Sequence, residues 1–212
     1  MIEIENNGIF VVFDGVDGAG KTTQVNLLAK VLEDAGETVI VSKEPTDGEW
    51  GRKIRATATT RRLSLEKELE AFIEDRKEHI QDKIRPALEE GKVVILDRYL
   101  YSTIAYQGVR SDSIDELEAK VKESALAPDA TFIIDIDPKI AAIRITDRDG
   151  APNEFEKLED QINIRAVFNT LCEHDSSLTV IDGDRPINEV HEEIVSTLVN
   201  GILKKKRSSK KF

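Results

Sequence analysis

Apolar residues along this chain alternate between two patterns. Short unbroken apolar runs fall at 9–13, 38–42, 93–97, 130–136 and 178–181. Runs of that length, without polar alternation, predict strands buried on both faces of a parallel sheet. Between them the apolar residues recur at three- and four-residue spacing, as in Val25, Leu27, Leu28, Val31 and Leu32, which predicts amphipathic helices. Gly36 closes the first helix. Ser64 is placed to cap a long helix running to Glu90, with Gly91 as its stop. Ser113-Ile114-Asp115-Glu116 reads as a capping box for a helix ending before Pro128. Pro138 opens another helix, which 149–153 interrupts with loop chemistry. A further helix covers 155–174, and Pro186 starts the last. Strand and helix alternate without a linker or internal repeat. The expectation is one α/β domain over 1–203, a five-stranded parallel sheet with helices on both faces. Ligands then belong at the carboxyl ends of the strands.

Composition changes this picture in three ways. The chain has 212 residues, 40% hydrophobic and 33% charged, which suits one soluble domain with a sizeable core. No apolar run approaches the ~20 residues that span a bilayer, and Met1 to Glu5 lacks the basic start of a secretory signal. The expectation is a cytoplasmic protein with no membrane partner. The single cysteine, Cys172, cannot form an internal disulfide and reads as a small buried helix residue. His79, His174 and His191 lack metal-ligand spacing and read as structural or surface groups. The net charge is −11, yet residues 204–212 hold six positive charges and no acid. The body is therefore strongly acidic and repels nucleic acid. The basic tail reads as a disordered, solubilising end, the alternative being a contact with RNA, an acidic partner or a membrane.

Candidate chemistry clusters where the strands end. Gly15-Val16-Asp17-Gly18-Ala19-Gly20-Lys21-Thr22 matches G-x-x-x-x-G-K-[ST] at every fixed position, between a predicted strand and a predicted helix. Its glycines let successive N–H groups face one phosphate, and the helix N-terminus adds its positive end. Lys21 can reach the terminal phosphates and the Thr22 hydroxyl can ligate Mg²⁺. The third strand ends in Asp97-Arg98. An acid there can hold Mg²⁺ or its waters, and the arginine can clamp a second phosphate. A strand-end ion pair is the alternative.

Asp97-Arg98-Tyr99-Leu100-Tyr101-Ser102-Thr103-Ile104-Ala105-Tyr106-Gln107 resembles the D-R-Y-x-x-S-x-x-A-Y-Q signature of thymidylate kinases. Phe13 to Gln24 resembles that family's phosphate loop, and Glu44-Pro45-Thr46 its E-P-x motif. The likeness continues through Phe72, Arg76, Phe155-Glu156, Ile164-Arg165 and Ile181-Asp182-Gly183, to about residue 200. The resemblance implies a P-loop kinase of the nucleoside monophosphate kinase type, moving the γ-phosphoryl of ATP to thymidine monophosphate with Mg²⁺, and usually a homodimer. The acceptor phosphate is already an anionic nucleophile, so positioning and charge neutralisation suffice without a strong general base.

The resemblance also implies roles. The backbone from Gly15 to Thr22, with Thr23 adjoining, holds the ATP phosphates. Lys21 bridges the β- and γ-phosphates, and Thr22 with Asp97 serves the metal. Asp17 meets the acceptor 3′-hydroxyl or a metal water, or else stabilises its turn. Arg98 clamps the acceptor phosphate. Glu44 and Pro45 border the acceptor. Phe72 stacks on the pyrimidine while Arg76 donates to thymine O4; without the family match the pair would read as a core ring beside a surface arginine. Tyr106 packs on the deoxyribose, with Ser102, Thr103 and Gln107 nearby. Thr103 stands where some relatives place an amide. Arg55 approaches the acceptor phosphate or stays on the surface. The phosphate loop has no basic residue before Lys21, which resembles the family branch with lid arginines. Arg144 and Arg148, beside a lid near 144–156, fit that pair; an exposed helix laced with ion pairs is the alternative. The rival functions are another nucleoside monophosphate or deoxynucleoside kinase, and a non-catalytic nucleotide-binding regulator.

Overall fold

The computed structural model describes residues 8–60, 63–149 and 154–203. Its sheet contains β1 (Ile9–Asp14), β2 (Val39–Lys43), β3 (Val93–Asp97), β4 (Ala130–Asp135) and β5 (Leu178–Asp182). All pairings are parallel, in the order β2-β3-β1-β4-β5. Each strand lies within one residue of its predicted limits. The central strands β1, β3 and β4 are buried along nearly their whole length, whereas the edge strands β2 and β5 are partly exposed. That gradient explains why unbroken apolar runs mark the centre most clearly. Phe13 and Phe132 pack across the middle with ring centroids 5.3 Å apart.

Nine α-helices are present among the described residues: α1 (Lys21–Asp34), α2 (Glu49–Thr60), α3 (Leu65–His79), α4 (Arg85–Glu89), α5 (Leu100–Gly108), α6 (Ile114–Glu123), α7 (Pro138–Asp149), α8 (Glu154–His174) and α9 (Ile187–Thr197). Ser113 caps α6, its hydroxyl accepting from Glu116 N–H at 3.3 Å. The long helix expected from Ser64 to Glu90 is interrupted. Across Ile80–Ile84 it widens into a π-turn, and Arg85 N–H bonds the Ile80 carbonyl five residues back. Pro86 accounts for this, because it has no N–H for the carbonyl of Asp82 and its ring crowds that position. Two helices carry no clear signal in the sequence. α5 is buried on nearly every side and so shows no polar stripe. α2 is mostly exposed. No helix among the described residues is long and apolar enough to cross a membrane.

The register sets the site. Phe13 of β1 lies opposite Asp97 of β3, and Lys43 of β2 lies opposite the same residue. The chain segments leaving these three strands, at Gly15, Glu44 and Arg98, therefore emerge side by side. The tail at 204–212 and the loop at 150–153 lie outside the described residues.

Candidate active site

The glycine turn after β1 is pressed against its neighbours. Gly15 has φ 139°, and a Cβ there would stand 2.4 Å from the Ile134 carbonyl oxygen. Gly18 has φ 78°, and its Cβ would meet the Ala141 carbonyl at 2.6 Å. Only glycine allows both the conformation and the approach. The turn delivers Gly20 and then Lys21 as the first residue of α1, so the helix N-terminus opens onto the loop. Lys21 is buried, and its Nζ donates to the Val16 carbonyl at 2.7 Å. Burial and the nearby Arg98 guanidinium lower its pKa to about 7, against the pull of Asp17, Asp97 and Asp14. Thr22 Oγ1 donates to Asp97 Oδ2, which unites the two residues assigned to the metal.

Arg98 adopts a left-handed backbone, φ 73°. A non-glycine residue there costs roughly 1–3 kcal/mol, a strain found at sites that require one side-chain direction. Its N–H donates to the Phe13 carbonyl at 2.8 Å. Its guanidinium turns back over the loop. Nη1 donates to the Gly15 carbonyl at 3.2 Å and to Ser102 Oγ at 3.1 Å. Nη2 donates to Asp17 Oδ1 and to the Tyr106 hydroxyl at 3.1 Å. Partial burial works to raise the Asp17 pKa, but Arg98 and Lys21 outweigh it and hold Asp17 below the ordinary carboxylate value.

A cavity of about 340 Å³ opens beside Arg98. Glu44 and Pro45 border it after β2, with Ile54 and Arg55 from α2 and Glu68 and Phe72 from α3. Tyr99, Ser102, Thr103, Tyr106 and Gln107 form its α5 wall, and Asp17 and Arg110 complete the rim. Every substrate residue named from the sequence lines it except Arg76. That arginine is fully buried behind the wall, where Nε donates to Glu44 Oε2 at 3.0 Å, Nη2 donates to Thr103 Oγ1 at 2.8 Å, and Nη2 forms an ion-pair contact with Glu44 Oε2 at 2.9 Å. Among the described residues, Arg76 Nη1 and the buried Gln107 Oε1 have no hydrogen-bond partner. Arg55 donates to the Pro45 carbonyl and to Asp47 Oδ1, both at 3.0 Å, which places its guanidinium on the rim.

A phosphate loop and an arginine-gated pocket on one strand end describe a transferase with two substrates. The thymidylate kinase family model matches residues 13–194. The chain is 39% identical to a thymidylate kinase of Xanthomonas campestris pv. campestris (strain B100), over 94% of this chain and 88% of the relative. It is 41% identical to a probable thymidylate kinase of Pyrococcus abyssi, over 92% of this chain and 98% of the relative. The chain belongs to the thymidylate kinase family. It is an enzyme that phosphorylates thymidine monophosphate with ATP.

Several groups that shape this kinase site drew no role from the sequence. Asp14 ends β1 fully buried, and its Oδ1 accepts from Tyr99 N–H at 3.0 Å, Ser102 N–H at 3.1 Å and the Ser102 hydroxyl. It thus anchors the start of α5 to the phosphate loop. Burial raises its pKa, with the Ser102 and Tyr99 bonds opposing. Asp75 accepts from Thr46 N–H at 2.8 Å and Thr46 Oγ1 at 2.6 Å, fixing the segment after Pro45. Arg110 pairs with Glu68 across the pocket rim. Gln161 of α8 reaches Asp17 Oδ2 at 3.4 Å. Each partner is 29 or more residues away in sequence, so spacing could not reveal it.

The lid arginines stand differently. Arg144 donates to the Gly183 carbonyl at 3.1 Å, just beyond β5. The Arg148 side chain lies outside the described residues. Arg165 forms a two-bond pair with Asp135, both contacts at 2.7 Å. Cys172 is half-buried rather than buried, and burial pushes its thiol up to about 11.

Proposed function

We propose that the kinase reaction proceeds with the following division of labour, carried by the convergence of Lys21, the Thr22–Asp97 contact and Arg98 between the phosphate loop and the cavity. Backbone N–H groups from Gly15 to Thr23 and the α1 N-terminus hold the ATP phosphates. Lys21 Nζ exchanges its bond to Val16 for the β- and γ-phosphates. Thymidine monophosphate lies in the cavity, with its base toward Phe72, Gln107 and the Arg76–Thr103 pair. Its deoxyribose lies against Tyr106, and its phosphate lies between Arg98 and Arg55. An acceptor phosphate oxygen attacks the γ-phosphorus, the bond to the β,γ-bridging oxygen breaks, and ADP leaves. Asp17 meets the acceptor 3′-hydroxyl or a metal water.

Thr22 and Asp97 fit Mg²⁺. They offer hydroxyl and carboxylate oxygens in direct contact, the hard donors this ion prefers. Among the described residues no three His, Cys, Asp or Glu side chains form a cage, which suits an ion that keeps waters and takes phosphate oxygens. When bound, it neutralises charge on the transferring group. A homodimer, a lid near 144–156 and a cytoplasmic location complete the proposal, supported by the family membership.

The test is a panel of nucleoside monophosphates with ATP, with and without Mg²⁺, the products separated by chromatography. Thymidine monophosphate should be the preferred acceptor. Deoxyuridine monophosphate should be weaker, since one methyl contact is worth ~1–3 kcal/mol. Activity should require the metal. Equal turnover of purine monophosphates would overturn the pocket assignment. Light scattering at micromolar concentration checks the dimer.

A further inference from the structure

The helix beneath the acceptor cavity carries polar side chains that the transfer itself does not call for. Arg76, His79 and Lys83 follow one another at three- and four-residue spacing through α3 and the π-turn, and all three face the end of β2. His79 is buried. Its Nδ1 lies 3.1 Å from Glu44 Oε1, and its Nε2 lies 2.9 Å from Ser42 Oγ. Lys83 Nζ donates to the same Ser42 oxygen at 3.1 Å. Glu44 is paired with Arg76 and, as a carboxylate, only accepts. The proton between Nδ1 and Oε1 therefore belongs to the ring. Ser42, which accepts from Lys83, has its own O–H for Nε2.

This arrangement constrains Arg76. An unhindered arginine–carboxylate pair closes as a fork, with two parallel bonds to two oxygens. Here Oε2 accepts from Nε, with Nη2 in ion-pair contact at 2.9 Å, while Oε1 is held by His79. The guanidinium is thereby left free to give Nη2 to Thr103, a cavity-lining residue, and its Nη1 stays unengaged among the described residues. We propose that His79 is a positioning residue for the acceptor pocket: its Nδ1–H occupies Glu44 Oε1, confines Arg76 to the other oxygen, and keeps Nη2 of the guanidinium on Thr103 in the cavity wall. This rests on the reading above that Arg76 serves the base.

Removing the Nδ1 donor lets the carboxylate swing into the fork and draws Arg76 away from Thr103. Asparagine can replace Nδ1 but cannot reach Ser42. Glutamine extends toward Ser42 and misplaces its amide for Glu44. Leucine fills space and donates nothing. Equilibrium binding of thymidine monophosphate and of ATP to His79→Asn, His79→Gln, His79→Leu and Arg76→Lys separates the possibilities. His79→Asn should bind thymidine monophosphate within about threefold of wild type, while the Gln and Leu variants weaken by roughly tenfold or more, the scale of one hydrogen bond to a charged group. ATP affinity should hold in all four. Equal losses for Asn and Gln, or no loss for Leu, would overturn the proposal and reduce His79 to packing. Arg76→Lys tells the two readings apart. If it leaves acceptor affinity unchanged, the role of Arg76 fails and His79 falls with it; if it weakens the acceptor while all His79 variants bind normally, only His79 falls. Independently of any variant, nitrogen NMR of the wild-type ring should show a proton on Nδ1, and an unprotonated Nδ1 would contradict the assignment.

Discussion

Lys21 is the residue whose surroundings make the sharpest demand. Its pKa falls from an ordinary 10.5 to about 7 because burial and Arg98 disfavour the ammonium. The unfolded chain holds that proton up to about pH 10.5. Below pH 7 the buried charge therefore opposes folding, and this penalty fades as pH rises from 7 toward 10.5. Bound phosphates favour the ammonium, so ATP binding at pH 8 should take up a proton, whereas at pH 6, where Lys21 is already charged, uptake should be small. Calorimetry in buffers of different ionisation enthalpy measures this, and pH-independent proton exchange would show that Lys21 does not meet the phosphates. Arg98 gives a second residue-scale prediction. Arg98→Lys keeps the charge but loses the fork that spans Gly15, Ser102, Asp17 and Tyr106, so kcat/KM for thymidine monophosphate should fall roughly 10²-fold, comparable to losing one preorganised donor. Lys21, Thr22, Asp97 and Arg98 were legible because each sits in a short motif at a strand end. Asp14, Asp75, His79 and Gln161 were not, because their meaning lies in partners that folding alone brings near.

Among the elements, strands proved legible because burial on both faces leaves a compact apolar run with little else to explain it. The π-turn at Ile80–Ile84 did not, although Pro86 in the last part of a helical pattern was its visible cause. α5 also escaped notice, since a helix buried all round has no polar stripe. Its start is instead dictated from a distance: Asp14 of β1 accepts both the Tyr99 and Ser102 N–H groups. Asp14→Ala would leave those donors unmet and should destabilise the fold by about 1–3 kcal/mol. Asp14→Asn keeps an acceptor oxygen and removes a carboxylate that burial disfavours, with Oδ2 unpartnered among the described residues. Its loss should stay under about 1 kcal/mol. Urea midpoints at constant m-value distinguish the two, and equal losses would show that the carboxylate charge, rather than the cap, holds α5 in place.

At the scale of the whole molecule, the open question is how a further cation reaches the transferring phosphoryl group. The phosphate loop supplies none before Lys21, and Arg98 is engaged with Asp17 and the pocket. Arg144 donates to the Gly183 carbonyl at 3.1 Å, and Gly183 and α7 both lie against the phosphate loop, at Ala19 and Gly18. Gln161 of α8 also meets the phosphate loop, at Asp17 Oδ2. Closure over ATP would bring a guanidinium to the phosphates and exclude water. An arginine supplied in this way is worth roughly 10³–10⁵ in kcat in well-studied phosphoryl transfers. Arg148→Ala should therefore lower kcat far more than ATP affinity, and the double variant with Arg144→Ala should lower it further if Arg144 substitutes in part. Mixing the double variant with a chain inactivated at Lys21 tests whether the arginine acts in its own subunit: activity should not recover. Single-turnover rates for the double variant within about threefold of wild type, far short of the ~10³ expected of such an arginine, would make the lid a structural cover and require the cation to come from elsewhere.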